Sequence, residues 1–157
     1  MSQITRRSVL FGAIGVGLSA ASFSWAGGAD EKTIDWQSSL KGAHKLASQQ
    51  NKPILIVFGA EWCGPCKKME KTTLANPQLA KYINSAFVSV HLDIDKEEKI
   101  AKILEVTNIP CTIILSPSAD LLGRFEGYQK PSTMYEKLAE AHKLHTEVQQ
   151  AAGQARS

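Results

Sequence analysis

Between residues 53 and 58 the chain carries Pro53-Ile54-Leu55-Ile56-Val57-Phe58, short, β-branched and apolar at nearly every position. Such a run predicts a strand covered on both faces, as in a parallel or mixed sheet. Upstream, Trp36, Leu40, Ala43, Leu46 and Ala47 recur at helical spacing. They predict an amphipathic helix over about residues 35–50, with Asp35 as its N-cap and Trp36 in the core. After Cys63, Met69 and Leu74 stand among lysines and glutamates and predict a helix. That helix breaks at Asn76-Pro77, because proline ends or kinks a helix, and a second piece runs to about Ile83. Phe87 to Ile94 mixes alternation with apolar character and predicts a strand. Lys96 to Leu104 reads as helix, Cys111 to Leu115 as strand, Pro117 to Asp120 as a turn, and Leu121 to Glu126 as the returning strand. A last helix covers about residues 131–148, with Met134, Leu138, Ala141 and Leu144 inward, and residues 149–157 form a frayed tail. Strands alternating with helices, then a hairpin and a closing helix, predict an α/β fold. Its central mixed β-sheet is flanked by helices in a three-layer α/β/α sandwich.

The N-terminus follows a different pattern. Arg6 and Arg7 are the only charges before Asp30, the stretch from Val9 to Ala26 is apolar or small, and Ser24-Trp25-Ala26 offers a small-x-small cleavage signal. This predicts a signal peptide over residues 1–26, a flexible lead-in over 27–34 and one domain over 35–148. Thr5-Arg6-Arg7-Ser8-Val9-Leu10 is similar to a twin-arginine signal. The expected location is therefore periplasmic, with an uncleaved membrane anchor as the alternative. Export places the cysteines where disulfides persist. It also lowers the formal charge from +3 to +1 by removing two arginines, which leaves no reason to expect nucleic acid or anionic lipid as a partner. A hydrophobic content of 43% with 21% charged residues excludes disorder and little else.

The chemistry concentrates in Glu61-Trp62-Cys63-Gly64-Pro65-Cys66-Lys67. The two cysteines follow a strand and open a helix. A helix N-terminus offers unpaired N–H groups and a partial positive charge, which favour the reactive thiolate at Cys63. Pro65 is tolerated in the first helical turn. Cys66, three residues on, returns to the same face, where it can resolve a mixed disulfide made by Cys63. A lone Cys-x-x-Cys also serves as half of a zinc site, which needs four ligands. No second such pair exists here, so the reading is redox, without metal or cofactor.

Trp62-Cys63-Gly64-Pro65-Cys66-Lys67 resembles the active-site sequence of the thioredoxin family. The resemblance extends over Val88 to Asp95, Val106 to Leu115 and Gly123 to Tyr128, and covers about residues 34–143. Asp35-Trp36 and Asn51-Lys52-Pro53-Ile54-Leu55 are similar to the periplasmic branch, such as the C-terminal domain of the electron carrier DsbD. The resemblance implies a thioredoxin-like fold and a protein-disulfide reductase with Cys63 as nucleophile and Cys66 as resolving thiol. It also implies a substrate surface of Trp62, Gly64, Pro65, Ile109 and Pro110, with a cis bond between the last two. The expected partners are disulfide-containing proteins and a membrane electron donor of the DsbD or CcdA kind. Gly64-Pro65 between the cysteines goes with reducing members.

Three positions depart from that pattern. Val57 stands where relatives place a buried aspartate that assists proton transfer, and His91 stands where they place its lysine partner. Glu61 and His91 are then the candidates for proton transfer. Cys111 follows Pro110 where threonine is usual, and leaves an odd thiol count. It reads as a small buried apolar residue, with a third redox thiol as the alternative. The rival functions are a disulfide oxidase or isomerase, a non-catalytic binding module of the same fold, and a metal carrier using Cys63, Cys66 and Cys111.

Overall fold

The computed structural model describes residues 33–154. The expected signal peptide, most of the lead-in and the last three residues lie outside them. Five strands form one mixed sheet: β1 (Trp36–Gln37), β2 (Ile54–Gly59), β3 (Val88–Asp93), β4 (Cys111–Leu115) and β5 (Leu121–Glu126). Their order is β1-β3-β2-β4-β5. The pairs β1–β3 and β2–β3 are parallel, and β2–β4 and β4–β5 are antiparallel. Five helices complete the fold: α1 (Leu40–Gln50), α2 (Gly64–Met69), α3 (Pro77–Ala86), α4 (Glu98–Ile103) and α5 (Pro131–Gln154).

Every residue of β2 is buried, as its unbroken apolar run requires of a strand covered on both sides. Alternation along the strands splits the core in two. Ile54, Ile56, Phe58, Val90 and Ile113 face Ala43 and Ala47 of α1 and Ala101 of α4. Leu55, Val57 and Ile114 face Met69, Ile83, Met134 and Leu138 on the opposite side. The three-layer α/β/α arrangement is thus built on two apolar faces of one sheet. Met134 and Leu138 are fully covered, which stabilises the fold by roughly 1.5–3 kcal/mol for each side chain.

Asn76 caps α3, its side-chain oxygen accepting the N–H of Leu79, and Pro77 opens the helix, so the expected break is present. Between Met69 and Asn76 the chain makes a π-helical turn, Glu70–Leu74. Thr73 is buried there, and its hydroxyl donates to the Gln129 carbonyl at 2.6 Å.

Four expectations are corrected, the inward placement of Leu144 among them. Asp35 does not cap α1: Ser39 does, accepting the N–H of Gly42 at 3.1 Å. Trp36 is not a core helical residue but lies in the two-residue strand β1, 37% exposed, with its ring edge against His91. Finally, α5 runs on through Gln154, so residues 149–154 are helical rather than frayed. On that helix His145 is buried and Leu144 stands exposed, because one more residue of rotation turns the covered stripe toward Asn51, whose carbonyl lies 3.1 Å from His145 Nε2.

Candidate redox site

The register of the sheet assembles the site. β2 runs out at Gly59 and β4 begins at Cys111, and the antiparallel pairing sets Phe58 beside Cys111. The segment before β4 therefore returns to the end of β2, where the Cys63 turn begins. Ala60, Cys63 and Cys66 form a small cluster with Ile94 and Ile109 against it. The Ile109–Pro110 peptide is cis. Ile109 is half-buried and Pro110 buried.

Cys63 and Cys66 are bonded as a disulfide with their Cα atoms 5.3 Å apart. Cys63 occupies the N-cap position of α2, and its Sγ accepts the N–H of Cys66 at 3.2 Å. That donor is one of the helix's otherwise unpaired amides, so a thiolate formed at Cys63 meets a hydrogen bond already in place. Cys63 is 4% exposed and Cys66 2%, while Gly64, Pro65 and Trp62 stand in solvent around them. Trp62 is 69% exposed, and its indole N–H donates to Asp95 Oδ2 at 2.8 Å.

Beside the turn that carries the cysteines, at the ends of β2 and β3, lies an open polar pocket of about 450 Å³, lined by Gly59, Glu61, Lys67, Glu70, His91 and Asp93 among others. His91 Nε2 is 3.5 Å from Glu70 Oε1. Burial pushes the His91 pKa down, and the carboxylates of Glu70 and Asp93 oppose that shift. The Asp95 backbone N–H, with Lys96 nearby, holds the Asp93 carboxyl below its usual range. Gly59 separates the imidazole from the cysteines. A Cβ on Gly59 would lie 3.2 Å from His91 Nε2 and 3.6 Å from Cys66 Cβ. Val57 pairs with His91 in register and is 1% exposed, so no carboxylate stands beneath the sulfurs on β2.

The residues singled out from the sequence, Cys111 included, gather at this end of the sheet. Cys111 opens β4 directly after Pro110, but it is fully buried in the apolar layer on the α1 side, and burial pushes its thiol pKa up. Among the described residues no group of three or more His, Cys, Asp or Glu could hold a metal ion. Asp95, Glu70 and Gly59 escaped the sequence reading. The pairing of β2 with β3 reveals Gly59, which it sets beside Asp93, whereas Glu70 and Asp95 are revealed by their contacts with His91 and Trp62.

A mixed five-stranded sheet with a disulfide at the mouth of α2 and a cis-proline segment beside it defines a thioredoxin-fold protein with a redox-type cysteine pair. The chain belongs to the thioredoxin-like domain family, whose model matches residues 40–142. It is 36% identical over 107 residues to the mitochondrial thioredoxin-3 of Saccharomyces cerevisiae, covering 61% of this chain and 78% of that one. It is 26% identical over 99 residues to the thioredoxin-related protein DsbJ of Chlamydia pneumoniae, 55% of this chain but only 28% of that protein. Among solved structures, a DsbH oxidoreductase superposes with a TM-score of 0.65 at 21% identity, over 71% of this chain and 86% of the other. A Thermus thermophilus thioredoxin gives 0.62 at 22% identity, over 71% and 87%. At those identities the two structures speak for the fold. The family and the Cys63–Cys66 pair make this a thioredoxin-like oxidoreductase. Among the described residues no helix is long and apolar enough to cross a membrane.

Proposed function

We propose that the chain is an exported protein-disulfide reductase acting by dithiol–disulfide exchange. The observation that carries this is the Cys63 sulfur at the N-cap of α2, receiving the Cys66 amide and bonded to the Cys66 sulfur. In the reduced form the Cys63 thiolate attacks one sulfur of a substrate disulfide, forming a mixed disulfide and expelling the other sulfur as a thiolate. Cys66 then attacks Cys63, the bond to the substrate breaks, and the substrate leaves with both its sulfurs reduced. Two electrons pass from the protein to the substrate, and no diffusible cofactor takes part. Trp62, Gly64, Pro65, Ile109 and Pro110 form the surface against which an extended substrate segment lies.

Reduction as the working direction rests on the Gly64-Pro65 pair, which adds no cation to stabilise the thiolates. Residues 1–26 act as the signal peptide and residues 35–148 as the catalytic domain, placing the mature protein in the periplasm. A membrane donor of the DsbD or CcdA kind would restore the dithiol there.

Cys63→Ser abolishes insulin reduction, and Cys66→Ser accumulates mixed disulfides visible on non-reducing gels. Full insulin reduction by Cys63→Ser would refute the mechanism. Direction is read by equilibrating the pair in glutathione buffers. A potential near about −270 mV supports a reductant, and one near about −120 mV replaces it with an oxidase.

A further inference from the structure

The segment between the end of α4 and the start of β4 carries the backbone against which a substrate would lie. Among the described residues, no backbone–backbone hydrogen bond involves Thr107, Asn108 or Ile109. The amide and carbonyl of Ile109 are therefore free for an extended chain laid beside them. Such an edge binds well only if it is held still, because any freedom it keeps is lost on binding.

Side chains do the holding. Ile109 packs on the cluster of Ala60, Cys63 and Cys66. The Pro110 carbonyl accepts the Gly127 N–H at 2.7 Å, which ties the far end of the segment to the end of β5. Where the segment has no backbone partner, Asn108 Nδ2 donates to Glu126 Oε2 at 2.9 Å. Glu126 is itself fixed. Register sets it opposite Cys111, its other carboxylate oxygen accepts Arg124 Nη2 at 3.2 Å, and its carbonyl accepts Gln129 Nε2 at 3.0 Å. The bonds from Asn108 and Arg124 hold the Glu126 carboxyl below its usual range, so at neutral pH it is an ionised, charge-assisted acceptor.

We propose that Asn108 and Glu126 are positioning residues: by tying the segment to β5 they hold the open edge of Ile109 for a substrate main chain, and so make the site selective for disulfides within extended polypeptides over small disulfides. The proposal rests on the exchange reaction of the preceding section and narrows its substrate class. Neither side chain takes part in the electron transfer. A small disulfide needs only to reach the Cys63 sulfur. A polypeptide also needs its hydrogen bonds to Ile109, and their geometry depends on where the Asn108–Glu126 bond sets the backbone.

A purely structural role for the pair predicts something different. Asn108 is exposed and joins neither core layer, so removing its amide leaves the packing of the domain in place. The bond can also be reversed. Asn108→Asp alone sets two carboxylates against each other at hydrogen-bond distance. With Glu126→Gln added, the new amide donates to the new carboxylate, and its oxygen still accepts from Arg124. The bond then returns with donor and acceptor exchanged and with side-chain lengths unchanged.

The test is steady-state insulin reduction with dithiothreitol as the recharging thiol, set beside the reaction of the reduced protein with a dipyridyl disulfide. Asn108→Ala raises KM for insulin by about fivefold or more, the equivalent of about one hydrogen bond, and keeps kcat within about twofold. Its rate with the dipyridyl disulfide stays within about twofold of wild type, because that substrate makes no use of the Ile109 backbone. Asn108→Asp shows the same split. Asn108→Asp combined with Glu126→Gln brings the insulin KM back to within about twofold of wild type. Equal losses on insulin and on the small disulfide, an unchanged insulin KM in Asn108→Ala, or no recovery in the reciprocal pair overturns the proposal. A wild-type protein that fails to react with the dipyridyl disulfide would instead refute the exchange reaction itself.

Discussion

Arg124 of β5 reaches under the far end of α4 and fastens the loop that leads to the site. Its Nη1 donates to the Leu104 carbonyl and its Nη2 to the Glu105 carbonyl, both at 2.7 Å. Nη2 also meets Glu126 Oε1 at 3.2 Å, and Glu126 Oε2 in turn accepts from Asn108 at 2.9 Å. The fork thus satisfies two carbonyls at a helix end and steadies the residue before Ile109. Glu105 takes φ = 53°, a left-handed conformation that costs a non-glycine residue roughly 1–2 kcal/mol and that the fork helps to hold. Arg124→Met removes both carbonyl bonds and leaves the packing of the stem. Hydrogen bonds from a charged donor contribute about 1.5–3 kcal/mol each. Here the side chain is 28% exposed and water competes, so the net loss is about 2 kcal/mol for the pair. For a domain of this size that lowers the melting temperature by about 8 °C. Thermal unfolding of the oxidised protein, followed by circular dichroism, measures it. Arg124→Lys recovers less than half the loss, because one ammonium cannot fork across two carbonyls. A melting temperature for Arg124→Met within about 2 °C of wild type would mean that water serves these carbonyls as well as arginine does, and the clamp would be discarded.

Cys111 should be inert in the folded protein. Its burial and raised pKa leave little thiolate, so alkylation of the reduced native protein at pH 8 labels Cys63 within minutes and Cys111 only after denaturant is added; rapid native labelling of Cys111 would contradict the packing. The acid limb of stability should run through Glu126 and Asp93. Hydrogen bonds from Asn108 and Arg124 lower the Glu126 pKa, and the Asp95 amide together with Lys96 lowers that of Asp93. Both folded pKa values lie below the unfolded ones, so the stabilisation is complete above about pH 5 and is lost as pH falls through the depressed folded values. Glu126→Gln therefore flattens the fall in melting temperature between about pH 5 and pH 3, and an unchanged slope would exclude it as a contributor.

Long-range order was legible where the pattern was strong. The unbroken apolar run of β2, the Asn76-Pro77 break and the hairpin of β4 and β5 each carry a local signal, and their limits match to within a residue. The start of α1 did not read correctly because Trp36 falls in helical phase with Leu40 and Ala43. Its true state is set by pairing with Ser89 across the sheet. A two-residue strand is too short to show alternation. The π-helical turn at Glu70–Leu74 also left no mark, since it differs from an α-helix only in hydrogen-bond partners. At the site, the cysteines and their neighbours follow from a contiguous motif. The meeting of His91, Gly59 and Cys66 joins residues from three elements, so it depends on strand register and on the absence of one side chain.

The flanks of the sheet bear on how these molecules behave in a crowd. On one side β1 lends only two residues of pairing. On the other, β5 is kinked by a register shift opposite Ile114 and Leu115 and carries the charges of Arg124 and Glu126. Neither offers the long flat row of free amides and carbonyls along which sheets zip together. Neighbouring copies thus lack, among the described residues, a template for pairing edge to edge.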